Sequence, residues 1–197
     1  MTTTQHEVSL LPEEGSSKHV PGGRDIWVFV LFESLVFTSY FCVYLFNRTQ
    51  HERAFLLGQS HLLLWLGVLE TIVLLSSSWS MALCVQHARE GCFELATREA
   101  FLTAGLGFAF LVLKITEWAR LIHMGHTFTS SQFFQYYFFL TAIHCVHLLI
   151  GFVVLGVLVY QLSSERRSQI TVETCATYWH SVDFYWVLIF ALLYVVR

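Results

Sequence analysis

Six ionisable residues stand almost alone inside long apolar stretches of this chain: Glu33, Glu70, His144, His147, His180 and Asp183. His144 and His147 are three apart, as are His180 and Asp183, so each pair shares a face if its segment is helical. Two histidines with two carboxylates is a donor set that could hold a metal ion, and matched histidines on facing helices could hold a haem. The same groups could instead form a hydrogen-bonded structural network between helices, or Glu33 and Glu70 could relay protons. Di-iron bundles repeat a Glu-x-x-His pair on two helices. No apolar segment here has that pair, and no redox metal is expected in this chain. Three further charges, Lys114, Glu117 and Arg120, step by three along one segment. They read as a plus–minus–plus ladder that neutralises itself. No Gly-rich phosphate loop, Ser–His–Asp triad or C-x-x-C occurs, so no catalytic residue is assigned.

What must position these groups is an all-α fold. The 197 residues are 55% hydrophobic and only 13% charged, with a net charge of −3. Soluble domains carry about 25% charged residues. This composition excludes disorder, a disulfide-stapled secreted domain and a nucleic-acid binder, and it points to a membrane protein. Both prolines, Pro12 and Pro21, precede the apolar region, leaving it free to run as uninterrupted helix. The five cysteines are scattered and read as small apolar residues.

Residues 1–24 form a polar tail, and 25–197 form the membrane domain. Five segments reach the ~20 residues a bilayer-crossing helix needs: about Ile26–Phe46, His61–Cys84, Ala100–Ile122, Phe133–Leu162 and Ala176–Val196. They are too long and too unalternating for transmembrane strands. The stretches between them, Asn47–Ser60, Val85–Glu99, His123–Gln132 and Ser163–Cys175, read as polar connections. Lys18, Arg24, Arg89, Arg98, Arg166 and Arg167 fall on one side, against Arg48, Arg53, Arg120 and Arg197 on the other. The positive-inside rule therefore places the N-terminus inside and the C-terminus outside.

At ~1.5 Å per residue, Glu33 lies roughly 12 Å and Glu70 roughly 16 Å from the inner face. On the same scale His144 and His147 lie at roughly 15 and 10 Å, and His180 and Asp183 at roughly 6 and 10 Å. All six thus share one belt in the inner half. An ionisable group at such depth needs a partner or a task. Glu33 is expected to bond His147, His144 or Glu70. The Ser76–Ser80 run, Ala104, Gly105, Gly107, Gly151 and Gly156 read as small residues that let helices approach. Phe133, Phe134, Tyr136, Tyr137, Phe138 and Phe139 read as an interfacial aromatic belt.

Several stretches resemble the cytochrome c oxidase subunit III family. Phe32-Glu33-Ser34, with Tyr40-Phe41 behind it, is similar to that family's Glu in an aromatic helix. Leu74-Leu75-Ser76-Ser77-Ser78, followed by His87-Ala88 and Gly91, resembles its serine-rich helix and exit. Glu117-Trp118 resembles its Glu-Trp pair. Phe138 to His147 with Gly151 is similar to F-x-x-T-G-F-H-G-x-H-x-x-x-G, and Tyr178-Trp179-His180-Ser181-Val182-Asp183 with Trp186 to Y-W-H-F-V-D-x-x-W. Ala142 and Cys145 stand where the motif has Gly, and Ser181 where it has Phe. Glu70-Thr71 stands where an Asn-Thr pair is common.

The resemblance covers about residues 24–197 and matches the last five of the seven helices of longer members. It implies an accessory subunit of a respiratory haem–copper oxidase in a bacterial-type inner membrane. Such a subunit carries no catalytic centre of its own. It packs against the haem- and copper-bearing subunit I, holds phospholipid and supports proton uptake. An accessory subunit of a nitric oxide reductase, a haem-binding membrane cytochrome and a small transporter are the competing readings.

Overall fold

The computed structural model describes residues 22–164 and 168–196; Lys18, Arg166, Arg167 and Arg197 of the charge count lie outside them. The chain forms α1 (Arg24–Gln50), α2 (Glu52–Ser60), α3 (Leu64–Arg89), α4 (Phe93–His123), α5 (Gln132–Ser163) and α6 (Gln169–Phe190), which closes in a π-helical turn at Ala191–Val195. Five of these helices are long and apolar enough to cross a membrane. No strand occurs among the described residues.

The helices outrun the apolar segments. The expected connection Val85–Glu99 shrinks to Glu90–Cys92, because helix continues into water once its apolar span is complete. Two glycines make the sharp stops. Gly91 (φ 78°) and Gly125 (φ 87°) adopt the left-handed conformation just past α3 and α4. Behind them Cys92 N–H donates to His87 C=O, and His126 N–H to Leu121 C=O. This crossed pattern satisfies the last carbonyls of each helix. Ser131 and Ser168 cap α5 and α6 by accepting from the N–H groups of Phe134 and Thr171.

The Asn47–Ser60 stretch is not a loop. It holds the nine-residue α2, which buries Phe55, Gly58 and Gln59. Gly58 lies against Phe133, where a Cβ would come within 2.7 Å of the ring Cγ.

Helix α6 is the centre of the bundle, packing against α3, α5 and α1. Half of its span is buried, against 11% for α1, which runs along the outside. The Trp179 indole is wholly enclosed. Its N–H donates to Ser77 Oγ at 3.1 Å, and it lies against Gly107 of α4 and Gly151 of α5. Trp186 N–H donates to Thr71 Oγ1 at 3.1 Å.

Hydroxyls join α3 to α4: Ser77 Oγ donates to Thr103 C=O, and Ser80 Oγ to Glu99 C=O and its carboxylate. The other small residues do not all serve packing. Gly105 and Gly156 face open space, and Ser76 bonds only Ile72 of its own helix. Half of the aromatic belt is also interior. Phe133, Phe134 and Tyr137 are buried, because successive turns of α5 aim them at α2 and the core.

Candidate functional site: three separate polar clusters inside the bundle

The single inner belt expected from depth does not form. Its members divide among three places, and one of them takes in the charge ladder.

The first joins α1 to α5. Glu33 Oε2 lies 3.0 Å from His147 Nε2, and His147 Nδ1 lies 2.9 Å from the Ile143 carbonyl. A carbonyl only accepts, so Nδ1 carries a hydrogen. The contact between Nε2 and the carboxylate then needs one more proton, on the ring or on Glu33. Either way the pair is neutral and holds a single proton between two acceptors. Phe37 closes over the imidazole edge-on at 5.3 Å. Each side chain remains about one-sixth exposed, 17% for His147 and 16% for Glu33.

The second cluster corrects both the belt and the ladder. Glu70 sits six residues from the start of α3 and some nineteen from Arg89. It therefore belongs near the opposite face, with the C-terminus, and pairs there with Lys114 at 2.7 Å. Lys114 also bonds Glu117 Oε2 at 2.7 Å and the Tyr194 hydroxyl at 3.0 Å. The hydroxyls of Tyr137 and Tyr194 each donate to Glu117 Oε2 at 2.6 Å. The ammonium stands 4.5 Å from the Trp186 ring centre, within range for a cation–π contact. Arg120 leaves the ladder and donates to the His61 carbonyl at 2.9 Å.

Sequence reasoning missed Tyr137 and Tyr194. A signal for Glu70–Lys114 was present in the α3–α4 hairpin. Glu70 lies 21 residues before Gly91 and Lys114 23 after it, so the two reach nearly the same height.

The third place lies between α3 and α6. His180 Nδ1 meets Ser78 Oγ at 2.7 Å. Asp183 is 3% exposed, and neither carboxylate oxygen has a hydrogen-bond partner of good geometry; the nearby Ser78 hydroxyl is engaged by His180.

His144 and His147 diverge despite their spacing. His144 turns inward, wholly buried between Phe110 (5.4 Å) and Trp186 (5.1 Å), while His147 turns to α1. The histidines thus belong to different helix interfaces, and this arrangement does not fit a haem between two of them. Among the described residues no three His, Cys, Asp or Glu side chains converge as a metal site.

Residues 23–196 match the family model described as cytochrome c oxidase subunit III. The chain is 30% identical over 175 residues to cytochrome c oxidase subunit 3 of Corynebacterium diphtheriae, an alignment covering 86% of this chain and 85% of that relative. It is 28% identical over 175 residues to quinol oxidase subunit 3 of Bacillus subtilis, covering 85% and 83%. It is 26% identical over 195 residues to cytochrome bo(3) ubiquinol oxidase subunit 3 of Pseudomonas aeruginosa, covering 96% and 91%. This multi-pass membrane chain belongs to the cytochrome c oxidase subunit III family.

Proposed function

We propose that the chain is the accessory third subunit of a respiratory haem–copper terminal oxidase. It works beside the other oxidase subunits, seated against the haem- and copper-bearing subunit I. It lies in a bacterial-type inner membrane with its N-terminus cytoplasmic and its C-terminus periplasmic. It carries no redox metal. Its tasks are to stabilise the catalytic subunit, to hold phospholipid and to support proton uptake. An apolar groove of about 550 Å³ between α3 and α4, lined by Leu75, Trp79, Leu83 and Leu102 among others, suits an acyl chain.

One observation carries this reading. Two motif residues 114 positions apart, Glu33 and His147, meet at 3.0 Å, inside a chain that matches the family over nearly its whole length. A partly exposed carboxyl–imidazole contact supports a role beside a proton path. It has no means of carrying an electron.

The test is what copurifies with the tagged chain and what its loss does. The expected partner is a large subunit with haem and copper. Deleting the chain leaves the partner's haem spectrum and initial turnover in place but hastens inactivation during turnover. Glu33→Gln keeps the shape of the site without its titrating carboxyl and reproduces part of that loss. A nitric oxide reductase as the copurifying partner, or loss of the haem spectrum on deletion, overturns the proposal. A wild-type Glu33→Gln beside an unstable deletion confines the role to packing and lipid retention.

A further inference from the structure

The cluster around Lys114 holds one cation between two carboxyl groups. Nζ lies 2.7 Å from Oε2 of Glu70 and 2.7 Å from Oε2 of Glu117. Glu70 and Lys114 are fully buried and Glu117 is 1% exposed. Among the described residues no second cation pairs with them. Arg120, one turn beyond Glu117, is turned to the His61 carbonyl and pairs with no carboxylate among the described residues. From α5 the cluster is faced by the Tyr137 hydroxyl, by His144 with its ring packed on Phe110 and Trp186, and by the Cys145 thiol. From the closing turn it is faced by the Tyr194 hydroxyl. With both carboxylates ionised, a net negative charge would be sealed inside a membrane-embedded bundle, where an uncompensated ion is strongly disfavoured.

We propose that Glu70, Lys114 and Glu117 form a buried proton-binding site, in which Glu70 holds a proton at neutral pH and the triad is electroneutral. The donor geometry decides which carboxyl is neutral. Glu117 Oε2 receives three donors, from Lys114, Tyr137 and Tyr194, which is the environment of an anion. Glu70 has only the ammonium beside Oε2; Oε1 of each carboxyl has no partner, so the difference between them lies at Oε2. The bound proton is walled off from solvent by the bundle. The site is distinct from the Glu33–His147 pair, and the inference rests on charge count and donor geometry alone. It stands whether or not Glu33 moves protons.

Infrared spectroscopy of the chain purified in its native assembly, with the glutamate carboxyl carbons isotopically labelled, tests it. At neutral pH a protonated-glutamate C=O band is expected. Glu70→Gln removes it, and so does Glu117→Gln, which leaves Glu70 ionised against Lys114. Glu70→Asp shifts it out of the labelled set, Glu117→Asp leaves it, and Lys114→Gln adds a second. Glu33→Gln leaves it in place, which separates this site from the proton role proposed above. If the neutralised variants fail to assemble, the conservative Glu70→Asp decides alone. A neutral-pH spectrum in which no protonated-glutamate band responds to Glu70→Asp overturns the proposal.

Discussion

Replacing Gly107 by alanine puts a methyl group where Trp179 already is. The new Cβ would stand 2.9 Å from Cη2 and 3.1 Å from Cζ2 of the indole, and 3.3 Å from Phe152 Cζ. Carbon atoms rest at about 3.5–4.0 Å, so the ring would have to retreat by roughly 0.6–1.1 Å. Its retreat is blocked on two counts. The far edge lies against Gly151, where Cζ3 is 3.0 Å from the position of a Cβ. The indole N–H is fixed to Ser77 at 3.1 Å. Overpacking of this kind costs about 1–3 kcal/mol. Alanine recovers up to about 1 kcal/mol of helix propensity over glycine. Gly105, two residues earlier on the same helix with nothing near it, gains the propensity without the clash. Gly107→Ala should therefore fall about 1–3 kcal/mol below Gly105→Ala. Gly151→Ala should fall similarly below Gly156→Ala. The double variant Gly107→Ala, Gly151→Ala should lose more than the sum, because both act on one ring. Denaturant titration of the detergent-solubilised chain, followed by helix content, measures each difference. Equal stability for Gly107→Ala and Gly105→Ala would refute the reasoning.

Lys114→Met strands two fully buried carboxyl groups and should cost about 3–5 kcal/mol, read as loss of folded chain in the membrane. Adding Glu70→Met should recover part of it, and no recovery would show that the two do not interact. His126, in the turn after α4, has its pKa lowered by burial and then by His61 and Arg120. A lowered histidine contributes stability that is fully present above its ordinary value of about 6.5 and is lost as pH falls from there through the lowered value in the fold. His126→Phe, which keeps the stack on Phe134 at 4.4 Å, should flatten the acid side of a thermal-stability profile; an unchanged profile would remove His126 as its source. An impermeant maleimide should reach a cysteine at Ser130 in intact cells, but reach the exposed Cys92 only after the membrane is opened. The reverse pattern would invert the proposed orientation.

The number of spanning helices was legible because a stretch of some twenty apolar residues has few other stable fates in a bilayer. Their ends were less so. Helix does not stop where hydrophobicity stops, and Arg89 and Phe93 are helical although they flank water. The nine residues of α2 escaped because their apolar face, Phe55 with Gly58, makes sense only once Phe133 is seen beside it. The site was readable as residue types but not as partnerships. Glu33 and His147 were each singled out, and their pairing was among the expected ones. The belt does not form because the ends of the apolar runs are not the ends of the helices, and Glu70, near the start of α3, lies in the opposite half. The i,i+3 spacing of His144 and His147 also misled. Sixty degrees of rotation sends the first to α6 and the second to α1.

The central place of α6 has a consequence for how the chain is made. Trp179, Trp186 and Tyr194, on α6 and its closing turn, bond Ser77, Thr71 and Glu117 of α3 and α4. During synthesis α3 and α4 enter the membrane long before these partners leave the ribosome. Until α6 is inserted, Ser77, Thr71 and Glu117 have only the partners that the earlier helices supply. Truncation before α6 therefore removes the keystone of the bundle, and leaves an unfinished chain for membrane proteases to clear.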